Sequence, residues 1–268
     1  MESLTGMTPL RTVIIGSGNV AHVVGLALEK AGAIEVCQVC SPTPGHAAEL
    51  ASRFKDASAA VAPEEMAADA ELYLVAVSDD AIATVADTYA PNGAVWLHTS
   101  GGVPADALKP LSPDYGVFYP LQTYSRDVAV DFSEVPVFVE GATPRALEVS
   151  KRLAHALSEK VYEVDGDQRC RLHAAAVFAC NFANHVWAMS DDILRREVGA
   201  DISVLRPLIE ETVRKAMSMR PALGQTGPAR RGDTGVIEKH KSLLLPDEAE
   251  IYGLLSNHII EYYERNRL

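Results

Sequence analysis

The chain has 268 residues with 36 acidic and 24 basic side chains, a formal charge of −12, and it is 48% hydrophobic and 22% charged. That composition supplies a full core for one large or two ordinary domains and excludes the disordered, collagen-like and coiled-coil classes. An acidic chain with no basic run longer than two also excludes nucleic acid as its main partner, because phosphate backbones bind basic patches.

No N-terminal segment joins a basic stretch to an apolar one. The longest nearly apolar run, residues 174–189, is interrupted by Asn181, Asn184 and His185. Neither secretion nor a membrane span is expected, and the protein is expected in the cytoplasm. Four cysteines are too few for a disulfide framework. Cys37 and Cys40 form a C-x-x-C, but they lie in a strand-like run where residues three apart face opposite sides, and no second pair completes a metal site. No metal is expected.

Over residues 1–165, short apolar runs alternate with helix-period segments, the pattern of an α/β Rossmann-like domain with a mostly parallel sheet. The first strand, 12–15, runs into Gly16-Ser17-Gly18-Asn19-Val20-Ala21. Val20, Val23, Val24, Ala27, Leu28 and Ala31 then recur at steps of three and four, an amphipathic helix ended by Gly32. Further strands are expected at 34–39, 72–77, 94–99, 116–119, 135–140 and 160–164. Helices are expected near 45–54, 80–89, 104–111 and 144–157. From residue 166 the strand signal stops, and 166–268 is expected to be a separate all-helical domain for substrate binding and dimerisation. In its first helix Leu172, Ala175, Ala179, Phe182, Val186, Met189 and Ile193 make a packing seam, and the other side is also apolar. A helix apolar nearly all round is buried on all sides, which points to a homodimer through this domain.

The glycine segment is G-x-G-x-x-A after a strand and at the mouth of a helix. Gly16 permits the turn, Gly18 admits a pyrophosphate, and Ala21 allows close helix packing. The amides of Ser17, Gly18, Asn19 and Val20 then face the anion, assisted by the helix dipole. An acid that would hold the ribose 2′-hydroxyl of NAD is absent about 20 residues on. Ser41 and Thr43 stand there, with His46 and Arg53 as the nearest cations, so NADP is favoured over NAD although no arginine lies in the 41–45 turn. At later strand ends Val77, Ser78, Thr99, Ser100 and Gly101 complete the cofactor crevice. Asp80 is expected to cap the next helix. His98 is either a proton-transfer group or a structural histidine bonded to a loop carbonyl.

Gly16–Ala21, Val77–Ile82, His98–Gly101, Tyr119-Pro-Leu-Gln122-Thr-Tyr124, His173–Asn181, and Thr226–Asp233 with His240 together resemble a family that joins a Rossmann-like NADP-binding domain to a helical domain of unknown function. The family is related to pyrroline-5-carboxylate reductases and, more distantly, to the 6-phosphogluconate and hydroxyacid dehydrogenases. The resemblance implies an NADP-dependent oxidoreductase, a dimer built on the helical domains, and no particular substrate. Tyr119 stands where the family is expected to carry histidine. The hydroxyacid dehydrogenases place a lysine four residues before an asparagine, whereas here Val177 precedes Asn181, and valine cannot move a proton.

At about 100° per residue, with His173 at zero, Asn184, Asn181 and His185 fall at roughly 20°, 80° and 120°. This stripe either bonds a neighbouring helix or faces substrate. The loop 224–235 is the densest polar cluster of the helical half; Arg231 can grip a carboxylate, and Asp233 can accept from an amine or cap a helix. The candidate catalytic residues are therefore His98, Asn181, Arg231 and Asp233, with Tyr119, Gln122, His173, Thr226 and His240 toward a small-molecule substrate. Two functions follow: hydride transfer to a small C=N or C=O group, the imine being favoured because its protonated form needs less acid catalysis, or NADP sensing without turnover.

Overall fold

The computed structural model describes residues 8–266. Eight strands form one sheet: β1 (Leu10–Ile15), β2 (Ile34–Cys40), β3 (Ser58–Ala60), β4 (Leu72–Val75), β5 (Val95–His98), β6 (Tyr115–Pro120), β7 (Val137–Gly141) and β8 (Val161–Glu163). Their order is β3-β2-β1-β4-β5-β6-β7-β8. All neighbours are parallel except β6 and β7. The order reverses between β1 and β4, which opens a crevice at their carboxyl ends. The three-residue β3 escapes the sequence pattern because Ser58-Ala-Ala has no branched or aromatic residue to mark a strand.

Helices α1 (Asn19–Lys30), α2 (Pro44–Ala51), α3 (Asp79–Thr88) and α4 (Pro144–Leu157) cross between strands. The segment 104–111 forms a short 3₁₀ turn, Ala105–Leu108, in place of the expected helix. Alternation along the strands sorts the core onto two faces. Ile14, Leu72, Leu74 and Leu97 pack with Val24 and Leu28 of α1 and Leu153 of α4. Val13, Ile15, Tyr73, Val75 and Trp96 pack with Ile82 and Val85 of α3.

One expectation about β2 fails for a local reason. The register with β1 shifts after Thr12, which faces Val36, while Val13 faces Gln38, so Cys37 is an extra, bulged residue. A bulge inverts the alternation. Cys37 and Cys40 therefore join the same apolar cluster instead of opposite ones. Both are free and buried, and burial pushes the Cys40 thiol up to about 12. Among the described residues, no group of three or more His, Cys, Asp or Glu is placed to hold a metal ion, and no helix is long and apolar enough to cross a membrane.

The chain divides into two compact units at Ala176 and Val177. Helix α5 (Gly166–Ala176), which the sequence pattern gives to the second domain, clusters with the first. The physical reason is Arg169, only 1% exposed, whose guanidinium donates to the carbonyls of Ser100, Gly101 and Val103 and pairs with Glu140.

The second unit is helical: a wide π turn at Val177–Phe182, α6 (Ala183–Ile193), a second π turn at Leu194–Val198, α7 (Arg206–Ser218), α8 (Pro228–Arg231), α9 (Thr234–Lys241) and α10 (Pro246–Asn266). A π turn takes more residues than an α turn. The 100° count that groups His173 with Asn181, Asn184 and His185 therefore does not carry through 177–182. Within one chain, the run expected to be buried all round is open, with Phe178 at 72% and Trp187 at 39% exposure.

Candidate active site

The glycine turn sits at the reversal of strand order. Gly16 has φ +112°, and a Cβ there would lie 2.3 Å from the Ala76 carbonyl oxygen, so the turn requires glycine on both conformational and steric grounds. Gly18 differs. It has an extended backbone, and a Cβ on it would meet nothing within 4 Å. The space beside Gly18 is thus an open cradle at the head of α1, and no side chain caps that helix, leaving its first-turn amides aimed at the cradle.

A cleft of about 290 Å³ adjoins the cradle, lined by Ile15, Gly16, Cys40, Pro42, Val77 and Tyr89 among others. Its mostly apolar lining suits the flat face of a nucleotide base. Ser41, the buried residue that follows β2, has its Oγ 2.9 Å from Ser17 Oγ. Thr43 is exposed and precedes α2 as its N-cap residue. His46 is exposed on α2, and Arg53 lines a different cleft, with Glu29, Lys30 and Lys55. Ser41, Thr43 and His46 thus lie together at the end of β2 and the start of α2, whereas Arg53 lies at another cleft. The donor set and the open cradle fit a dinucleotide.

Ser78 is the N-cap residue of α3 and Asp79 its first residue, so Asp80 lies inside the first turn and is not the cap expected from sequence. Thr99 N–H donates to the Val75 carbonyl, and Ser100 Oγ accepts from the amides of Gly102 and Val103, folding the loop after β5 back on itself. His98 belongs to that loop's framework. It has no solvent exposure; Nδ1 accepts from Ser100 N–H at 3.2 Å, and Nε2 lies 3.3 Å from the Pro104 carbonyl. Burial, reinforced by Arg169, lowers its pKa to about 4. Of the two sequence readings, the geometry sides with the structural histidine, since both ring nitrogens are used and neither faces the crevice.

A second pair takes its place. Tyr119 near the end of β6 and His173 on α5 approach to 2.9 Å, Oη to Nδ1, with their rings edge to face. Burial, with Asp79 adding to it, pushes the Tyr119 phenol up to about 12, so it stays protonated at neutral pH. Gly101 is glycine because a Cβ there would lie 2.5 Å from His173 Nδ1 and 2.7 Å from Tyr119 Cζ. A Cβ on Gly102 would meet Asp79 at 3.3 Å and His173 at 3.8 Å. The loop after β5, β6 and α5 therefore converge on one polar cluster, and Arg169 fixes the loop that carries it. The family resemblance brings Tyr119 and His173 into the candidate list, and the sequence gives no sign of their contact or of Arg169. Gln122 is exposed, with its Oε1 accepting from Thr123 N–H.

In the second unit, Asn181, Arg231 and Thr226 are exposed, and Thr226 borders a cleft with Glu211 and Lys215. Asp233 Oδ1 accepts from Val236 N–H, the helix-capping arrangement, which engages that oxygen with the backbone. His240 Nδ1 lies 2.8 Å from Tyr252 Oη. Arg230 stacks over the Tyr263 ring at 4.4 Å, and Tyr263 donates to the Ala222 carbonyl, so α10 fastens the loop around Gly224–Gly232.

Residues 11–95 match the family described as NADP oxidoreductase coenzyme F420-dependent, and residues 135–259 match a domain of unknown function, DUF2520. A protein of Bacteroides fragilis assigned as an NADP oxidoreductase is 36% identical, with 95% of this chain and 99% of that one covered and a TM-score of 0.85. The fold is shared with a reductive aminase of Aspergillus terreus, at 15% identity, 97% and 95% coverage and a TM-score of 0.69. It is shared also with the NADP-bound pyrroline carboxylate reductase of Plasmodium falciparum, at 12% identity, 95% and 100% coverage and a TM-score of 0.55. No curated protein matches the chain at a significant level.

Proposed function

From the premise that the chain belongs to the NADP oxidoreductase family with a DUF2520 domain, and uses NADP as cofactor, we propose that it reduces a small C=N or C=O substrate, with the imine preferred. The observation that carries the proposal is the Tyr119–His173 pair at the same carboxyl edge of the sheet as the open Gly18 cradle. The head of α1 would hold the pyrophosphate, Ser17 and Ser41 the adenosine ribose, and the apolar cleft the adenine. When bound, NADPH supplies the hydride.

What the chain itself contributes is orientation and one proton. Tyr119, kept neutral by burial, can donate its hydroxyl proton to the atom that becomes N–H or O–H, while His173 Nδ1 stands in position to restore it. A protonated imine needs orientation more than acid, which suits a chain that carries valine at 177, where the hydroxyacid dehydrogenases it resembles carry a lysine. The names borne by the structural neighbours, a reductive aminase and a pyrroline carboxylate reductase, point to the same class. Asn181 and Arg231 are proposed to orient substrate. The exposed Phe178, Phe182 and Trp187 are proposed to be covered by a second copy of the chain.

Tyr119→Phe tests the proton role, since it keeps the ring and removes only the hydroxyl. The expected result is a loss of kcat of about 100-fold, with NADPH affinity unchanged within threefold. Unchanged kcat would remove Tyr119 from the chemistry.

A further inference from the structure

The 2′-phosphate that separates NADP from NAD is strongly anionic, yet the turn after β2 offers it hydroxyls and no arginine or lysine. The fold brings a cation there from elsewhere. Arg126, in the segment that follows β6, donates from Nη2 to the Ser17 carbonyl at 2.8 Å, and the Ser17 hydroxyl is in turn 2.9 Å from that of Ser41. The same segment is fastened a second time by Asn19 Nδ2, which donates to the Tyr124 carbonyl at 2.9 Å. A chain segment about 100 residues downstream in sequence thus reaches the glycine loop and carries its guanidinium to the backbone carbonyl of Ser17, the residue whose hydroxyl pairs with Ser41.

Arg126 is loosely engaged on its other side. Nη1 faces Glu49 of α2 at 3.4 and 3.5 Å, long contacts between partly exposed groups that contribute little. Glu49 has a second neighbour, His22 on α1, whose Nε2 is buried without a hydrogen-bond partner and lies 3.9 Å from the carboxylate. His22 Nδ1 faces the Gly18 carbonyl at 3.2 Å. Glu49 therefore stands between Arg126 and His22. Because the Gly18 carbonyl can only accept, Nδ1 is the protonated ring nitrogen and Nε2 of the neutral ring offers the carboxylate no donor, so Glu49 has no second strong partner.

We infer that Arg126 is the residue that selects NADPH, exchanging its weak contact with Glu49 for the 2′-phosphate beside Ser17 and Ser41. Guanidinium presents a planar fork of donors that matches a phosphate and grips it better than it grips a distant carboxylate. Glu49 repels the phosphate by charge and competes with it for Arg126, so the two residues act in opposite directions on one ligand group. The inference rests on the nucleotide site placed above at the Gly18 cradle.

Titration calorimetry with NADPH and with NADH, on the full chain and on Arg126→Gln and Glu49→Gln, tests it. Arg126→Gln is expected to weaken NADPH at least tenfold and to leave NADH within threefold. Glu49→Gln is expected to strengthen NADPH severalfold with NADH unchanged. Equal weakening of both nucleotides by Arg126→Gln would make Arg126 a support for the glycine loop and overturn the selective role, as would no change in either. Weaker NADPH binding by Glu49→Gln would overturn the exchange. A wild-type chain that binds neither nucleotide would instead overturn the underlying site.

Discussion

The two compact units hide their apolar side chains to different degrees. In the first, both faces of the central strands are covered, and Val13, Ile14, Leu72, Val75, Trp96 and Leu97 are excluded from solvent. In the second, the buried apolar residues among those described are Ala229, Ile237 and Tyr263, while Phe178, Leu208, Met217 and Leu254 are largely exposed. The nucleotide half carries a complete core of its own, whereas the helical half holds itself together by polar fasteners. Arg196 grips Glu248 bidentately at 2.9 Å, Glu248 also accepts from Leu245 N–H, and Tyr263 ties α10 to Ala222. A surface of that kind is what the proposed second copy of the chain would cover.

The sharpest way to break the comparison is to change the two glycines of the nucleotide half. Gly18→Val enters open space, so the variant is expected to keep its circular dichroism and melting temperature while NADPH affinity falls by two orders of magnitude or more. Gly16→Ala forces a Cβ against the Ala76 carbonyl at positive φ, and about 3 kcal/mol of stability is expected to go with it. Normal NADPH binding by Gly18→Val would place the phosphate loop elsewhere.

The acid response should also separate the units. Buried His98 titrates near 4 when folded and near 6.5 when unfolded. Between those values the unfolded chain binds more protons, so stability is fully present above about pH 6.5 and declines as pH falls toward 4, by up to about 3 kcal/mol. His98→Gln should flatten this slope of melting temperature against pH, and an equally steep slope in that variant would contradict the structural role.

For the helical half, Phe178→Asp is expected to convert a dimer to a monomer by light scattering, with NADPH affinity retained. A monomeric wild type at micromolar concentration would contradict the proposed partner. The smallest effect is expected at the substrate residues. Asn181→Ala and Arg231→Ala should leave NADPH affinity within about threefold and reduce turnover at least tenfold, as loss of a charge-assisted hydrogen bond worth roughly 1.5–3 kcal/mol would. Their losses should be non-additive if they hold one molecule.

What could be seen in the sequence was local. The glycine turn, the strand before it and the helix after it announce themselves within 20 residues, and so does the proline-led start of α4, whereas the same signal at Pro104 leads only into a 3₁₀ turn. The Cys37 bulge was not visible, because the extra residue is defined only by pairing with β1. Nor were the arginines that organise the site: Arg126 bonds a residue 109 positions away and Arg169 one 69 positions away. In the sequence each is one charged residue among many. The helical half misled for a related reason, since the π turns break the periodicity on which helix-face counting depends.

The central claim is that the crevice reduces a C=N or C=O bond with NADPH. It is tested most directly by following NADPH absorbance with wild type and Tyr119→Phe across cyclic imines, amine-plus-ketone pairs and 2-oxoacids. The expected result is steady NADPH consumption by wild type with at least one imine-forming member, cut about 100-fold in the variant. Tight NADPH binding with no consumption above the uncatalysed rate by any member would contradict it and leave a protein that binds the nucleotide without turning it over.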